Sequence, residues 1–339
     1  MFSRFQNLLT GDVAIDLGTA NTVIWMKGNG IVLNEPSIVS RDVVSGEIIA
    51  VGHEAKEMLG RTHSGIETVR PLKDGVIADY KMTDAMIGGF IRKINLSRIS
   101  RPRMVICVPS GVTDVEQRSV AEAALHANAS EVYLIDEPMA AAIGIGIDVG
   151  APYGNMIVDI GGGTTEIAVL SLGGVVYSES LRVAGDAMDN SLKEYMREEY
   201  NLMIGDSTAE KIKKDIGTAI PTNNNTYAVK GRDLRSGTPK EVNISEEDTS
   251  EALNPILKDI VSAIKKALEN TPPELSADLV DMGLTMTGGG SLLKNIDKRF
   301  SKETGLPVNI ADDPLSCVAI GTGKALDQEE IFSTLLSEY

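Results

Sequence analysis

Short apolar runs bounded by glycine, proline and small polar residues recur along the chain, and the two sharpest carry the same phrase. Ile157–Val169 reads Ile-Val-Asp-Ile-Gly-Gly-Gly-Thr-Thr-Glu-Ile-Ala-Val. An apolar run ends in Asp159, turns through Gly161, Gly162, Gly163 and Thr164, and returns as a second apolar run. This predicts a β-hairpin whose tip lacks side-chain bulk. Val13–Ile24 repeats the order: apolar run, Asp16, then Gly18, Thr19, Ala20, Asn21 and Thr22, then apolar run. Two hairpins of one design predict a duplicated domain.

The same patterning predicts the elements between them. Glu35-Pro36-Ser37 opens a strand-rich stretch through Val51 with a turn at Ser45-Gly46, followed by a short helix over His53–Leu59. A break at Arg70–Gly75 precedes a helix near Met82–Ile94, and the stretch 38–70 is small enough to be an insertion. Met104–Val108 and Val132–Ile135 are core strands. Between them Thr113–Ala127 is a helix, with Thr113 and Glu116 spaced as a capping box. Helices follow over Met139–Ile145, Asn190–Tyr200 and Ser207–Gly217, and strands near Tyr227–Lys230 and Lys240–Ile244, making 185–246 a second insertion. Glu246–Asn270 is a long amphipathic helix with Ile256, Ile260, Ile264 and Leu268 at four-residue spacing. The strand Leu284–Thr287 runs into Gly288-Gly289-Gly290 and a helix over Ser291–Phe300, and Pro314–Leu326 is the last helix.

Composition narrows the class. The 339 residues are 42% hydrophobic and 24% charged, ordinary for a globular chain with room for two or three domains. No apolar run reaches membrane-span length, and none resembles a secretory signal. Cys107 and Cys317 lie in apolar surroundings and read as core thiols of a reducing cytoplasm. The histidines His53, His63 and His126 lack zinc-ligand spacing. A net charge of −16 argues against nucleic acid as the main partner and makes any basic segment informative.

The hairpin tips offer backbone N–H groups and hydroxyls that suit a phosphate, and Asp16 and Asp159 stand where a hydrated divalent cation would be held through its waters. One glycine-rich turn is most simply a tight turn; two in matching contexts predict a clamp on a triphosphate with Mg²⁺ between the aspartates. Glu137 precedes Pro138 at a helix start, so it reads equally as a cap or as a carboxylate positioning an attacking water. Gly288, Gly289 and Gly290 permit close approach of a ligand such as an adenosine. Glu210 and Lys213, three apart on a helix, read as a surface ion pair.

Two segments admit a membrane reading beside a plainer one. Phe2, Phe5 and Leu9 share a helical face with Leu8 beside them, either a terminal helix packed on its own domain or an interfacial anchor. Burying four such side chains yields roughly 6–10 kcal/mol at best, and ordering the segment costs about as much, so stable attachment needs an array of copies. Arg92–Arg103 holds five basic residues and no acidic one, with Leu96 and Ile99 among them: a solvated helix end, or a contact with anionic lipid.

Asp16-Leu-Gly-Thr, Asp159-Ile-Gly-Gly-Gly-Thr-Thr and Thr287-Gly-Gly-Gly together resemble the actin, chaperone and sugar-kinase ATPase superfold. Arg70–Asp79, Glu137–Gly144, Asn155–Glu166, Thr271–Leu275 and Thr287–Gly290 resemble the bacterial actin family MreB, over nearly the whole chain. The resemblance implies an α/β actin-like fold: two duplicated domains, each with a small inserted subdomain, around a central nucleotide cleft. Subdomain IA would take residues 1–37, 71–147 and 325–339; IB 38–70; IIA 148–184 and 247–324; IIB 185–246. ATP and Mg²⁺ would occupy the cleft, with Asp16 and Asp159 near the metal. Gly18, Thr19, Ala20, Asn21, Gly161, Gly162, Gly163 and Thr164 would surround the phosphates, Glu210 and Lys213 the ribose and base, and Gly288, Gly289 and Gly290 the adenosine. Glu137 falls on the family's water-positioning carboxylate, with Asp159 and Thr164 beside it in catalysis. The family forms antiparallel double filaments on the inner membrane face, linked to cell shape and wall-synthesis proteins. Thr113–Ala127 would then join protofilaments, and Phe2, Phe5, Leu8, Leu9, Leu96 and Ile99 would meet lipid. Asp136 departs from the family's usual Glu and puts the hydrolysis rate in question. A sugar or acetate kinase of the same superfold is the alternative, although no spare Asp or His motif serves a second substrate.

Overall fold

The computed structural model describes residues 11–94, 101–328 and 332–339. The proposed membrane residues Phe2, Phe5, Leu8, Leu9, Leu96 and Ile99 lie outside them. Both predicted hairpins are present. Val13–Leu17 pairs antiparallel with Asn21–Met26, and Asn155–Ile160 with Thr165–Ser171.

Each hairpin begins a sheet of one design. In the first, Val13–Leu17 is central, with Asn21–Met26 and then Gly30–Pro36 on one side, and on the other the parallel strands Arg103–Val108 and Glu131–Asp136. The short Ser337–Glu338 adds an outer edge. In the second, Asn155–Ile160 is central, flanked by Thr165–Ser171 and Gly174–Leu181, and on the other side by the parallel strands Leu284–Thr287 and Val308–Ile310. The order is the same in both halves, so the duplication read from the repeated phrase is a duplication of topology. All residues of Asn155–Ile160 and Thr165–Ser171 are buried, which is why these strands read as continuous apolar runs rather than alternating ones.

The predicted small units have sheets of their own. Val39–Asp42, Ile48–Val51 and Ile66–Val69 form a three-stranded sheet beside the helix His53–Met58. Leu202–Met203, Thr226–Asp233 and Pro239–Ser245 form another. Glu246, 1% exposed, ties the polar loop before Thr226 to the body: it accepts from Thr222 N at 2.9 Å, Asn223 N at 3.1 Å and Lys294 Nζ at 2.6 Å. Thr113 caps Asp114–His126 with the anticipated capping box, Glu116 Oε2 accepting from Thr113 N at 2.7 Å. Ile260 and Ile264 of the long helix Glu246–Glu269 are fully buried against the second sheet.

A third cluster joins the halves. Ala14, Val105 and Cys107 of the first sheet and Ile157, Ala168 and Leu170 of the second meet around the helices Glu137–Ile145 and Cys317–Asp327. These helices touch backbone to backbone: a Cβ on Gly144 would fall 1.8 Å from the Cys317 carbonyl oxygen, and one on Gly321 would fall 1.7 Å from that of Ala140. No other residue fits either place.

Two expectations need correction. The helix expected over Ser291–Phe300 is a short 3₁₀ turn, Gly289–Leu292, then a break at Asn295 (φ 60°), and the α-helix runs Ile296–Thr304. Asparagine tolerates this left-handed conformation better than most residues, so the break is written in the sequence. The helix Pro273–Met282 was not foreseen, and the one expected from Asn190 begins at Gly185. Among the described residues no helix is long and apolar enough to cross a membrane.

Candidate functional site

The tips of the two hairpins meet. A Cβ on Gly162 would fall 2.6 Å from that of Ala20, and one on Gly163 would fall 2.7 Å from Thr19 Oγ1. Each tip is fixed by its own bonds. Gly161 N donates to Thr164 O at 2.9 Å to close the second turn, and Ser37 Oγ donates to Gly18 O at 2.6 Å behind the first. Thr19 Oγ1 accepts from Gly75 N at 3.1 Å, which brings the Asp74-Gly75 turn over both tips. Asn21 lies outside this contact and is exposed, its side chain donating to Asn34 Oδ1 at 3.1 Å. On the far side of the second tip, Gly185 N and Asp186 N donate to Gly161 O and Gly162 O at 3.1 and 2.7 Å.

Four carboxyls gather at these strand ends. Asp16 and Asp159 end the two central strands, Glu137 opens its helix, and Glu166 lies opposite Asp159 in the hairpin register. Among the described residues no lysine or arginine forms an ion pair with any of them. Burial pushes Asp16 up to about 6, and burial together with the charges of Asp16 and Glu166 pushes Asp159 up to about 8. Glu137 is driven well above the carboxylate range by burial, then by Glu166, Asp16, Asp159 and Asp136. Burial takes Glu166 to about 7 against hydrogen bonds from Ser180 Oγ at 2.5 Å and Ser110 N at 3.1 Å. A group of carboxyls raised together without a basic partner is a place where a cation lowers the energy. The donor set therefore fits a divalent ion. Asp136, exposed and making no capping bond, stands at the N-cap before Glu137.

The other predicted residues have partners that the sequence did not foretell. Glu210 and Lys213 do not pair with each other. Lys213 Nζ reaches Asp189 at 2.9 Å and Gly185 O at 2.8 Å; Glu210 meets Lys214 at 2.6 Å and, from the small first-half unit, Lys56 at 3.3 Å. Burial alone would raise Glu210, but the Lys214 and Lys56 ammoniums hold it at about 2. Arg70 likewise meets Asp186 at 2.8 Å, so two ion pairs span the mouth of the cleft. Gly288 and Gly290 have a reason inside the chain: their Cβ atoms would fall 2.2 Å from Asp159 Oδ1 and from Ile160 Cγ2. Gly289 alone has room on its open side.

Ser110, Glu166, Asp186 and Lys56 were missed as site residues. For Glu166, a charged residue inside a buried strand is the signal in the sequence. The others depend on contacts distant in sequence.

The family model described as MreB/Mbl protein matches residues 10–334. The chain belongs to the MreB/Mbl family. Relatives include the cell shape-determining protein MreB of Escherichia coli (strain K12), 50% identical over 334 residues, covering 96% of each chain. The crystal structure of MreB 5 of Spiroplasma citri bound to AMPPNP is 38% identical with a TM-score of 0.89, covering 96% of this chain and 98% of that one. The MamK double helical filament, 21% identical over 94% of this chain and 99% of its own, has a TM-score of 0.81 and shares the fold. This MreB/Mbl chain has the actin-like ATPase fold that its repeated phrase implied, and none of these relatives is a kinase.

Proposed function

We propose that this chain is a nucleotide-dependent cytoskeletal protein that polymerises with copies of itself, binding ATP and Mg²⁺ between the two hairpins and hydrolysing ATP slowly to time disassembly. The observation that carries the reading is the meeting of the two hairpin tips beside four carboxyls that have no basic partner among the described residues. Gly18, Thr19 and Ala20 on one side and Gly161, Gly162, Gly163 and Thr164 on the other supply N–H and hydroxyl donors for phosphate oxygens, with Asn21 at the edge. Glu210 and Lys213 turn to the ribose and base, and Gly288, Gly289 and Gly290 back the adenosine. Asp16 and Asp159 would hold Mg²⁺, which would supply neutralisation of the phosphate charge. Glu137, at the strand end beside Asp16, orients the attacking water, which asks of it an acceptor oxygen rather than a strong base.

The four-subdomain division given above is part of this proposal, as are a cytoplasmic location on the inner face of an anionic membrane, contacts through Phe2, Phe5, Leu8, Leu9, Leu96 and Ile99, and work alongside wall-synthesis proteins. The helix Asp114–His126, with Val115 73% exposed and Leu125 44%, has apolar surface to offer a partner protofilament. The test is electron microscopy of the purified protein with ATP and Mg²⁺ on an anionic lipid monolayer. Paired filaments lying on the lipid are expected. Monomers alone, with phosphate release stimulated by a sugar or acetate, would overturn the reading in favour of a kinase. Changing Phe2 and Phe5 together to Ser should reduce liposome co-sedimentation, and an unchanged pellet would remove the N-terminal anchor.

A further inference from the structure

Behind the first aspartate lies a thiol that ATP hydrolysis does not need. Cys107 stands opposite Asp16 in the parallel register between Val13–Leu17 and Arg103–Val108, is 2% exposed, and its Sγ donates to Asp16 Oδ1 at 3.4 Å. Glu137, at the start of the next helix, completes a triangle: one carboxylate oxygen from each acid and the sulfur all lie within 4.8 Å of one another. Ligands around a tetrahedral metal of this kind stand roughly 3–4 Å apart, from metal–ligand bonds of about 2.0–2.3 Å. Small side-chain rotations would close the set.

We propose that Asp16, Cys107 and Glu137 form a site for a soft divalent cation of the Zn²⁺ or Cd²⁺ class, chemically distinct from the Mg²⁺ that accompanies the nucleotide. Magnesium is a hard ion that takes carboxylate, phosphate and water oxygens and ignores sulfur. A soft ion takes thiolate first. The surroundings favour the exchange, because two acids with no basic partner among the described residues repel a bare thiolate and attract a dication. On binding, the S–H bond breaks, the proton leaves to solvent, and a sulfur–metal bond forms with no change of oxidation state. The ion then holds both Asp16 and Glu137. Given the ATPase reading above, this sets soft cations against Mg²⁺–ATP and stops hydrolysis; binding itself does not depend on that reading.

The test uses the full nucleotide-free chain titrated with cadmium chloride, following the ultraviolet charge-transfer band of a cadmium–thiolate bond. The chain has two cysteines, so assignment is direct. We expect one equivalent of band in the unaltered protein and in Cys317→Ser, and none in Cys107→Ser. No band, or a band lost with Cys317→Ser instead, overturns the site. Should Cys107→Ser fail to fold, Asp16→Asn and Glu137→Gln decide: each should weaken cadmium binding by about tenfold or more, and unchanged affinity in both overturns the proposal. In a second arm, phosphate release at fixed Mg²⁺–ATP is measured with added cadmium. A band with loss of turnover supports the site and its consequence. A band with turnover unaffected keeps the site and removes Glu137 from hydrolysis.

Discussion

The first and second sheets share one strand order, yet they furnish the ends of that order differently. In the first, the strand beside the hairpin carries Cys107 level with Asp16, and the next strand delivers Glu137. In the second, Thr287 stands level with Asp159, the chain then passes through three glycines, and the outer strand Val308–Ile310 is followed, past Ala311, by exposed Asp312. The frame was kept in both copies while the strand ends diverged: one half carries the carboxyl proposed to orient water, and the other lets backbone approach where a side chain would block. Duplication here gives a cleft with two similar lips and unlike floors.

The division predicts unequal losses. Glu137→Ala should lower phosphate release by roughly 10²–10⁴-fold, the range of a positioned acid–base group, with nucleotide still bound. Asp312→Ala, just past the outer strand of the other half, should change it by less than about twofold. Equal losses would end the assignment of catalysis to one half.

Stability should divide the other way. Gly288 combines φ 78° with a would-be Cβ 2.2 Å from Asp159 Oδ1, whereas Gly111, after the corresponding strand of the first half, has φ 78° and open space. Gly288→Ala should therefore cost more than about 3 kcal/mol in urea unfolding of nucleotide-free protein, and Gly111→Ala about 1–2 kcal/mol.

The aspartates differ in their pH window. Both are raised in the folded state, so the folded protein binds more protons than the unfolded chain, and the raised groups favour folding at low pH and lose that contribution as pH rises through the folded value. For Asp16 the window closes near 6 and for Asp159 near 8. Nucleotide-free protein should thus melt at a lower temperature at pH 8 than at pH 6. Asp159→Asn should flatten that slope more than Asp16→Asn does, and the reverse order would contradict the burial assigned to each. The smallest effect should come from Lys56→Ala at the cleft mouth, within about 1 kcal/mol, because the pair with Glu210 is part-exposed.

Much of this was legible in the sequence because it was local. The hairpins, the capping box at Thr113 and the long helix from Glu246 follow from spacing alone, and the twin aspartates could be named before any contact was known. What stayed hidden depended on residues distant in sequence. The i, i+3 spacing of Glu210 and Lys213 suggested a mutual pair, but each found a nearer opposite charge, Lys214 and Asp189, once the helix met its neighbours. The glycines at 288 and 290 signalled close approach correctly; the residues they approach within the chain, Asp159 and Ile160, arrive from a strand paired only in the folded sheet. Cys107 read as core, and it is core, yet the register places it against a carboxylate.

The glycine contacts between the helices Glu137–Ile145 and Cys317–Asp327 give the molecule a bearing without a bushing. A carbonyl oxygen of each helix is seated where the other has no side chain, so a side chain added at either glycine would have to force the two apart. Glu137 opens one of these helices, so the packing at the two glycines also sets where its carboxylate stands beside Asp16.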